Sequence, residues 1–228
     1  SDVCSSDLTG KSLAYLLPAI AWSLKNRQRV VVSTNTINLQ EQLIKKDLPL
    51  IQRYAKETFS TCLVKGRGNY LCQRKLASAH KDPELFPTEG AEALNALVRW
   101  AEHTSLGCLS DLSFQPPREV WEEVRSEADQ CLRSRCQYFN SCFFYRARRE
   151  AATANVLVVN HALLLADMAL RRDAGYDAAA ILPPFGKLII DEAHHLEEAA
   201  TGALTLRVSR RDVQKQLGRL VNAHGRSG

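Results

Sequence analysis

Short unbroken apolar runs separate longer stretches of helical periodicity along this chain. Residues 30–33, 60–64, 156–159 and 188–191 carry the runs, among them Val30-Val31-Val32 and Val156-Leu157-Val158-Val159. Strands covered on both faces lack polar alternation, which is how buried parallel strands read. Between them, apolar residues at three- and four-residue spacing predict helices after Ser12 and over 37–44, 91–102, 118–128 and 162–170. Thr36 stands as an N-cap for the second of these, and Pro49 lies beyond its end. Strands alternating with helices predict an α/β fold with a parallel sheet. From 65 to 150 the strand pattern lapses, so this stretch is expected to be an insertion between core strands.

The polar residues at the ends of the runs carry the candidate chemistry. Asp191-Glu192-Ala193-His194 follows Leu188-Ile189-Ile190 directly, and open α/β sheets place ligand chemistry at the carboxyl ends of their strands. Paired carboxylates there suit nucleotide hydrolysis: one holds Mg²⁺ and the other orients the attacking water. At the other end of the chain, Gly10-Lys11-Ser12 matches the second half of the phosphate-loop pattern G-x-x-x-x-G-K-[ST]. In that pattern the backbone amides and the helix N-terminus cradle phosphate, the lysine reaches the β and γ oxygens, and the serine ligates Mg²⁺. The first glycine belongs at position 5, which is Ser5 here. After residues 30–33, the hydroxyls of Ser33, Thr34 and Thr36 beside Asn35 make a loop suited to gripping a nucleic-acid backbone.

Composition narrows the setting. The 228 residues are 45% hydrophobic, enough for a core, and Gly and Pro are sparse. A net charge of +5 is compatible with nucleic acid without demanding it. No apolar stretch approaches the roughly 20 residues of a membrane span and no signal peptide is readable, so a cytoplasmic protein is expected. Seven cysteines in such a chain point to metal or redox chemistry rather than disulfides.

Those cysteines cluster in the insertion. Cys131, Cys136 and Cys142 form a loosely spaced trio, with Cys72 upstream. Four converging thiolates suit a [4Fe–4S] cluster or a tetrahedral zinc; the uneven spacing fits a cubane better than the two close pairs of structural zinc sites. Cys62, in a strand pattern, and Cys108, in a loop, read as non-ligands, with Cys108 the residue that could replace Cys72. Arginines and aromatic rings crowd the same stretch, Arg67 and Tyr70 among them. Such a mixture takes phosphates and stacks on bases of a single strand.

Taken together and in order, Thr9-Gly10-Lys11-Ser12, the run from Ser33 to Leu43, the four cysteines, Val159-Asn160-His161-Ala162-Leu163-Leu164 and Asp191-Glu192-Ala193-His194 resemble the XPD-like iron–sulfur superfamily 2 DNA helicases. The DinG branch of bacteria is the nearest in pattern. The resemblance implies a partial RecA-like P-loop sheet with an inserted, mostly helical iron–sulfur domain. It implies that Gly10, Lys11 and Ser12 bind ATP phosphates and Mg²⁺, that Asp191 is the second Mg²⁺ anchor, that Glu192 is the base, and that His194 couples hydrolysis to a second motor domain. Cys72, Cys131, Cys136 and Cys142 become [4Fe–4S] ligands, and Thr34, Asn35 and Thr36 contacts to the translocating strand. It further implies a monomer that moves 5′→3′ on single-stranded DNA and opens forked duplexes or R-loops in the bacterial cytosol or nucleoid.

The expected organisation is 9–64 and 151–205 as two parts of one motor domain, 65–150 as the cluster insertion, and 206–228 as the start of a helical Arch-type insertion. Residues 1–8 reverse-translate as TCA GAC GTG TGC TCT TCC GAT CTN, the end of a common sequencing adapter, and are expected to be a non-native leader; any other codon series in the gene refutes this. The chain is thus expected to be an inactive piece of an active motor. The competing class is an iron–sulfur or zinc nucleic-acid-binding module without ATPase activity, which leaves Gly10-Lys11-Ser12 and Asp191-Glu192 unexplained. A third reading is a non-helicase ATPase whose cluster senses redox state.

Overall fold

The computed structural model describes residues 9–81, 86, 88–175, 180–205, 213, 217 and 218. The expected leader and nearly all of the expected Arch segment lie outside them. Helix α1 (Thr9–Asn26) leads into strand β1 (Val30–Thr34). Its end is closed by Arg27 in the left-handed region (φ 52°) and by the Gln28 amide donating to the Ser23 carbonyl at 3.2 Å, the 6→1 bond of a Schellman cap.

Helix α2 (Ile37–Gln42) starts as expected, with the Thr36 hydroxyl accepting the Leu39 amide at 3.2 Å. It does not stop before Pro49. A π-type turn (Leu43–Asp47) carries the chain straight into α3 (Leu48–Tyr54), where Pro49 occupies the first turn. Strand β2 (Thr61–Leu63) closes the first part of the core.

After the insertion come β3 (Val156–Asn160), α8 (His161–Ala174), β4 (Lys187–Ile190) and α9 (Leu196–Leu204). All strand pairings are parallel, in the order β2-β3-β1-β4. The expected α/β sheet is therefore the observed one. Alternate residues feed two cores: Val30, Val32, Val156 and Val158 pack beneath α1 and α3, while Val31, Leu157 and Val159 pack with Leu163 and Leu164 of α8. This two-sided cover is why the strand sequences are continuously apolar.

The insertion builds its own core. It contains α4 (Gln73–His80), α5 (Thr88–His103), α6 (Arg118–Val124) and α7 (Phe143–Thr153), packed around Leu76, Leu97, Val120, Trp121, Phe143 and Phe144. Helix α6 is shorter than the expected 118–128. The backbone beyond Val124 is taken by the segment before α4: Ser126 N donates to the Tyr70 carbonyl at 2.8 Å, and Cys72 N to the Val124 carbonyl at 2.8 Å. Gly107 flanks the same segment at φ 59°, where any Cβ would collide with the Phe143 ring. Helix α7 crosses the expected boundary at residue 150, with Phe143 and Phe144 in the insertion core and Ala151 in the sheet core.

Candidate functional site

The carboxyl ends of β1, β3 and β4 lie side by side, with Thr34 paired to Asn160 and Ser33 to Ile190. The chain leaves β4 through Asp191, whose amide donates to the Ser33 carbonyl at 2.8 Å. Glu192 follows in the left-handed region at φ 55°, and its amide turns back to Asp191 Oδ1 at 3.0 Å. From α1, Lys11 reaches the same turn: Nζ lies 2.6 Å from Glu192 Oε1 and 3.0 Å from Asp191 Oδ1. Two adjacent carboxylates thus share one cation, 181 positions from Glu192 in sequence. Hydrogen bonding to Glu192, and then to Asp191, raises the Lys11 pKa above its ordinary value.

Ser12 is buried beside this pair. Tyr15, one turn further along α1, donates its hydroxyl to Asp191 Oδ2 at 3.1 Å. Burial, then the charge of Asp191, pushes the Tyr15 pKa up, so the phenol stays protonated and keeps donating. Asp191 is 7% exposed and Glu192 21%. The first is enclosed by its neighbours, and the second, bonded to Lys11, is the more open to solvent or substrate. His194 Nε2 lies 3.5 Å from Glu192 Oε2, its ring against that of His195. Gly10 is exposed, with open space where a side chain would project.

Four thiols meet elsewhere. Cys72, Cys131, Cys136 and Cys142 line one small cavity of the insertion, together with Lys75, Arg133, Phe139 and Tyr145. Burial pushes the Cys131 thiol up, but hydrogen bonds from the Arg133 main chain, the Tyr145 hydroxyl and the Arg67 guanidinium outweigh it and hold the pKa below normal. Burial raises the Cys142 pKa, and the charges of Cys72 and Cys131 add to the rise. Among the described residues no three His, Cys, Asp or Glu side chains are close enough to hold a single ion. A cubane spreads its four ligands wider than one ion does, and a shared cavity walled by thiols fits that donor set. Cys108 lies apart, buried in the insertion core, with the Ser110 hydroxyl on its sulfur at 3.6 Å. Cys62 sits in β2.

No family model matches the chain. Over 85% of its length it is 36% identical to the ATP-dependent DNA helicase YoaA of Escherichia coli K12, covering 29% of that protein. It is 39% identical to the ATP-dependent helicase DinG of Mycobacterium tuberculosis, over 85% of its own length and 31% of the relative. To the ATP-dependent DNA helicase DinG of Salmonella choleraesuis it is 32% identical over 86%, covering 29%. The chain belongs to the DinG-like helicase branch. It spans about three-tenths of the length of these relatives.

Within this DinG-like chain, two expected nucleic-acid contacts are corrected. Tyr70 is 5% exposed and packs edge-on against Phe144 in the insertion core. Thr34 is fully buried, because the strand that carries it is central. Neither can meet an external strand without the fold opening. Arg67 is half-buried, its guanidinium 3.8 Å over the Phe144 ring and hydrogen-bonded to Cys131, so it serves the thiol cavity first. Asn35 and Thr36 remain accessible, although Thr36 spends its hydroxyl on the α2 cap. The sequence reading gave no site role to Tyr15 or His161 and read Ser33 only as part of a nucleic-acid grip, yet the fold brings all three to the same sheet edge. A tyrosine four residues after Lys11, on the helix face that carries the lysine, was the available signal.

Proposed function

We propose that this chain supplies the phosphate-binding and hydrolytic half of the ATP site of a DNA helicase. The observation that carries the reading is Lys11 held between Asp191 and Glu192 at the carboxyl edge of a parallel sheet. Two carboxylates brought this close need a cation, and Lys11 serves while no nucleotide is bound. On nucleotide binding, Lys11 moves to the β and γ oxygens; Ser12 and Asp191 would hold Mg²⁺, which would supply charge neutralisation at the phosphates. The backbone at Gly10 lies against the phosphate chain. Glu192, released from Lys11, orients water and accepts its proton. Tyr15 keeps Asp191 in place.

His194, in contact with Glu192, couples that event to a second motor domain. Asn35 and Thr36, beside the same edge, contact the strand. Cys72, Cys131, Cys136 and Cys142 hold a [4Fe–4S] cluster that stiffens the insertion. The parent protein is read as a monomer moving 5′→3′ on single-stranded DNA in the cytoplasm and opening forks or R-loops.

The test is single-strand-stimulated ATP hydrolysis by the full-length parent. Lys11→Ala and Glu192→Gln should each reduce turnover to background, with Glu192→Gln retaining nucleotide binding. Wild-type turnover indifferent to single strands, or undiminished in Glu192→Gln, refutes the reading.

A further inference from the structure

Among the described residues, three buried side-chain atoms lack a hydrogen-bond partner: Thr34 Oγ1, Arg125 Nε and His161 Nε2. Two of the three sit at the sheet edge described above. Buried polar atoms without partners are rare in folded proteins, and each needs a reason.

His161 is 1% exposed and opens α8, directly after the Asn160 cap. Its Nδ1 shares a 2.7 Å hydrogen bond with the Ser33 hydroxyl. Its other nitrogen is buried without a partner, and the main chain of Asp191 and Glu192 lies near enough to the ring to bear on its protonation. Ser33 therefore acts twice: its carbonyl holds the Asp191 amide and its hydroxyl holds His161.

The turn they surround is strained. A non-glycine residue in the left-handed region costs about 1–3 kcal/mol and persists only where its surroundings enforce it. Glu192 is such a residue, and it is the one whose carboxylate must be aimed.

We propose that His161 is a positioning residue for Glu192: anchored through Nδ1 to Ser33, it presents Nε2 to the Asp191–Glu192 main chain and fixes the left-handed turn that aims the base. This deepens the helicase reading and rests on it. Burial favours the neutral imidazole. With Nδ1 accepting from Ser33, the proton sits on Nε2, where the turn carbonyls can take it. The unmade bond is the slack that closes when nucleotide draws Lys11 off the turn, as catalytic hydrogen bonds tighten on substrate binding.

The test compares His161→Gln with His161→Asn in the full-length parent. A glutamine amide reaches the Nε2 position, whereas an asparagine amide reaches only Nδ1 and keeps the Ser33 bond. His161→Asn should lower DNA-stimulated kcat about 10–100-fold, the scale of a small misplacement of a reacting group, with KM for ATP unchanged. His161→Gln should recover most of that loss. Independently of activity, amide exchange over 190–195 should accelerate in His161→Asn and not in His161→Gln. Wild-type kcat and exchange in His161→Asn overturn the proposal, as do equal losses in both variants accompanied by a lower Tm, which mark simple packing. A wild-type parent without DNA-stimulated turnover instead refutes the helicase reading, and the exchange comparison still decides the positioning role.

Discussion

Cysteine shows how strongly one residue type depends on its surroundings here. Burial raises the Cys62 thiol to about 11 from an ordinary 9.0. Between those values the folded chain keeps a proton that the unfolded chain has lost, so stability falls as pH rises from 9 to 11. Cys62→Ala should flatten that decline, as urea midpoints measured across the interval will show; an unchanged slope refutes it. Cys131, on the insertion cavity, goes the other way, because hydrogen bonds from the Arg133 main chain, the Tyr145 hydroxyl and Arg67 hold its thiol below normal. Protein purified anaerobically from the parent gene should carry about four iron and four sulfide per chain. Cys72→Ser or Cys142→Ser should lose them, and Cys108→Ser or Cys62→Ser should keep them. Stoichiometric zinc without iron refutes the cluster, and iron lost in Cys108→Ser but retained in Cys72→Ser refutes this set of four.

Element ends decide what each helix can offer to the site. Helix α8 begins with the Asn160 side chain accepting the Leu163 amide at 2.8 Å, and that cap sets where His161 enters the core. Asn160→Ala should destabilise the chain by about 1 kcal/mol, the usual worth of an asparagine cap, and denaturant unfolding will measure it; a change below a few tenths removes the cap from the account. Helix α6 gives the opposite case. Its sequence continues with helical spacing past Val124, yet Arg125 and Ser126 pair with Leu71 and Tyr70 instead. Long-range backbone bonding overrode a local preference worth only tenths of a kcal/mol per residue.

The whole molecule joins a parallel sheet and an inserted helical unit through α7, which belongs to both cores. On the proposed reading, in which a second motor domain completes the ATP site, the 228 residues by themselves should bind nucleotide weakly. They should also hydrolyse it negligibly. An arginine brought to the transferring phosphate from outside the phosphate-binding loop is worth ~10³–10⁵ in rate in such enzymes. Supplying the full span should restore DNA-stimulated turnover. Measurable stimulated turnover by the 228-residue chain itself refutes this division of labour. Among the described residues, no helix is long and apolar enough to cross a membrane.

Sequence alone determined the strands and their parallel sense, and it singled out Lys11, Asp191 and Glu192. Each rests on local spacing: unbroken apolar runs for buried strands, and polar residues at their carboxyl ends. It also singled out the four cysteines that line one cavity, since a trio at uneven spacing survives any fold that closes it. Only the tertiary structure decided which polar side chains are reachable. Thr34 and Tyr70 read as surface contacts because their neighbours are polar, yet the central strand and the Phe144 ring bury them. His161 reads as an ordinary residue at a helix start. Its role comes from Ser33 and the Asp191–Glu192 turn, 128 and about 30 residues away, which parallel pairing alone brings within reach.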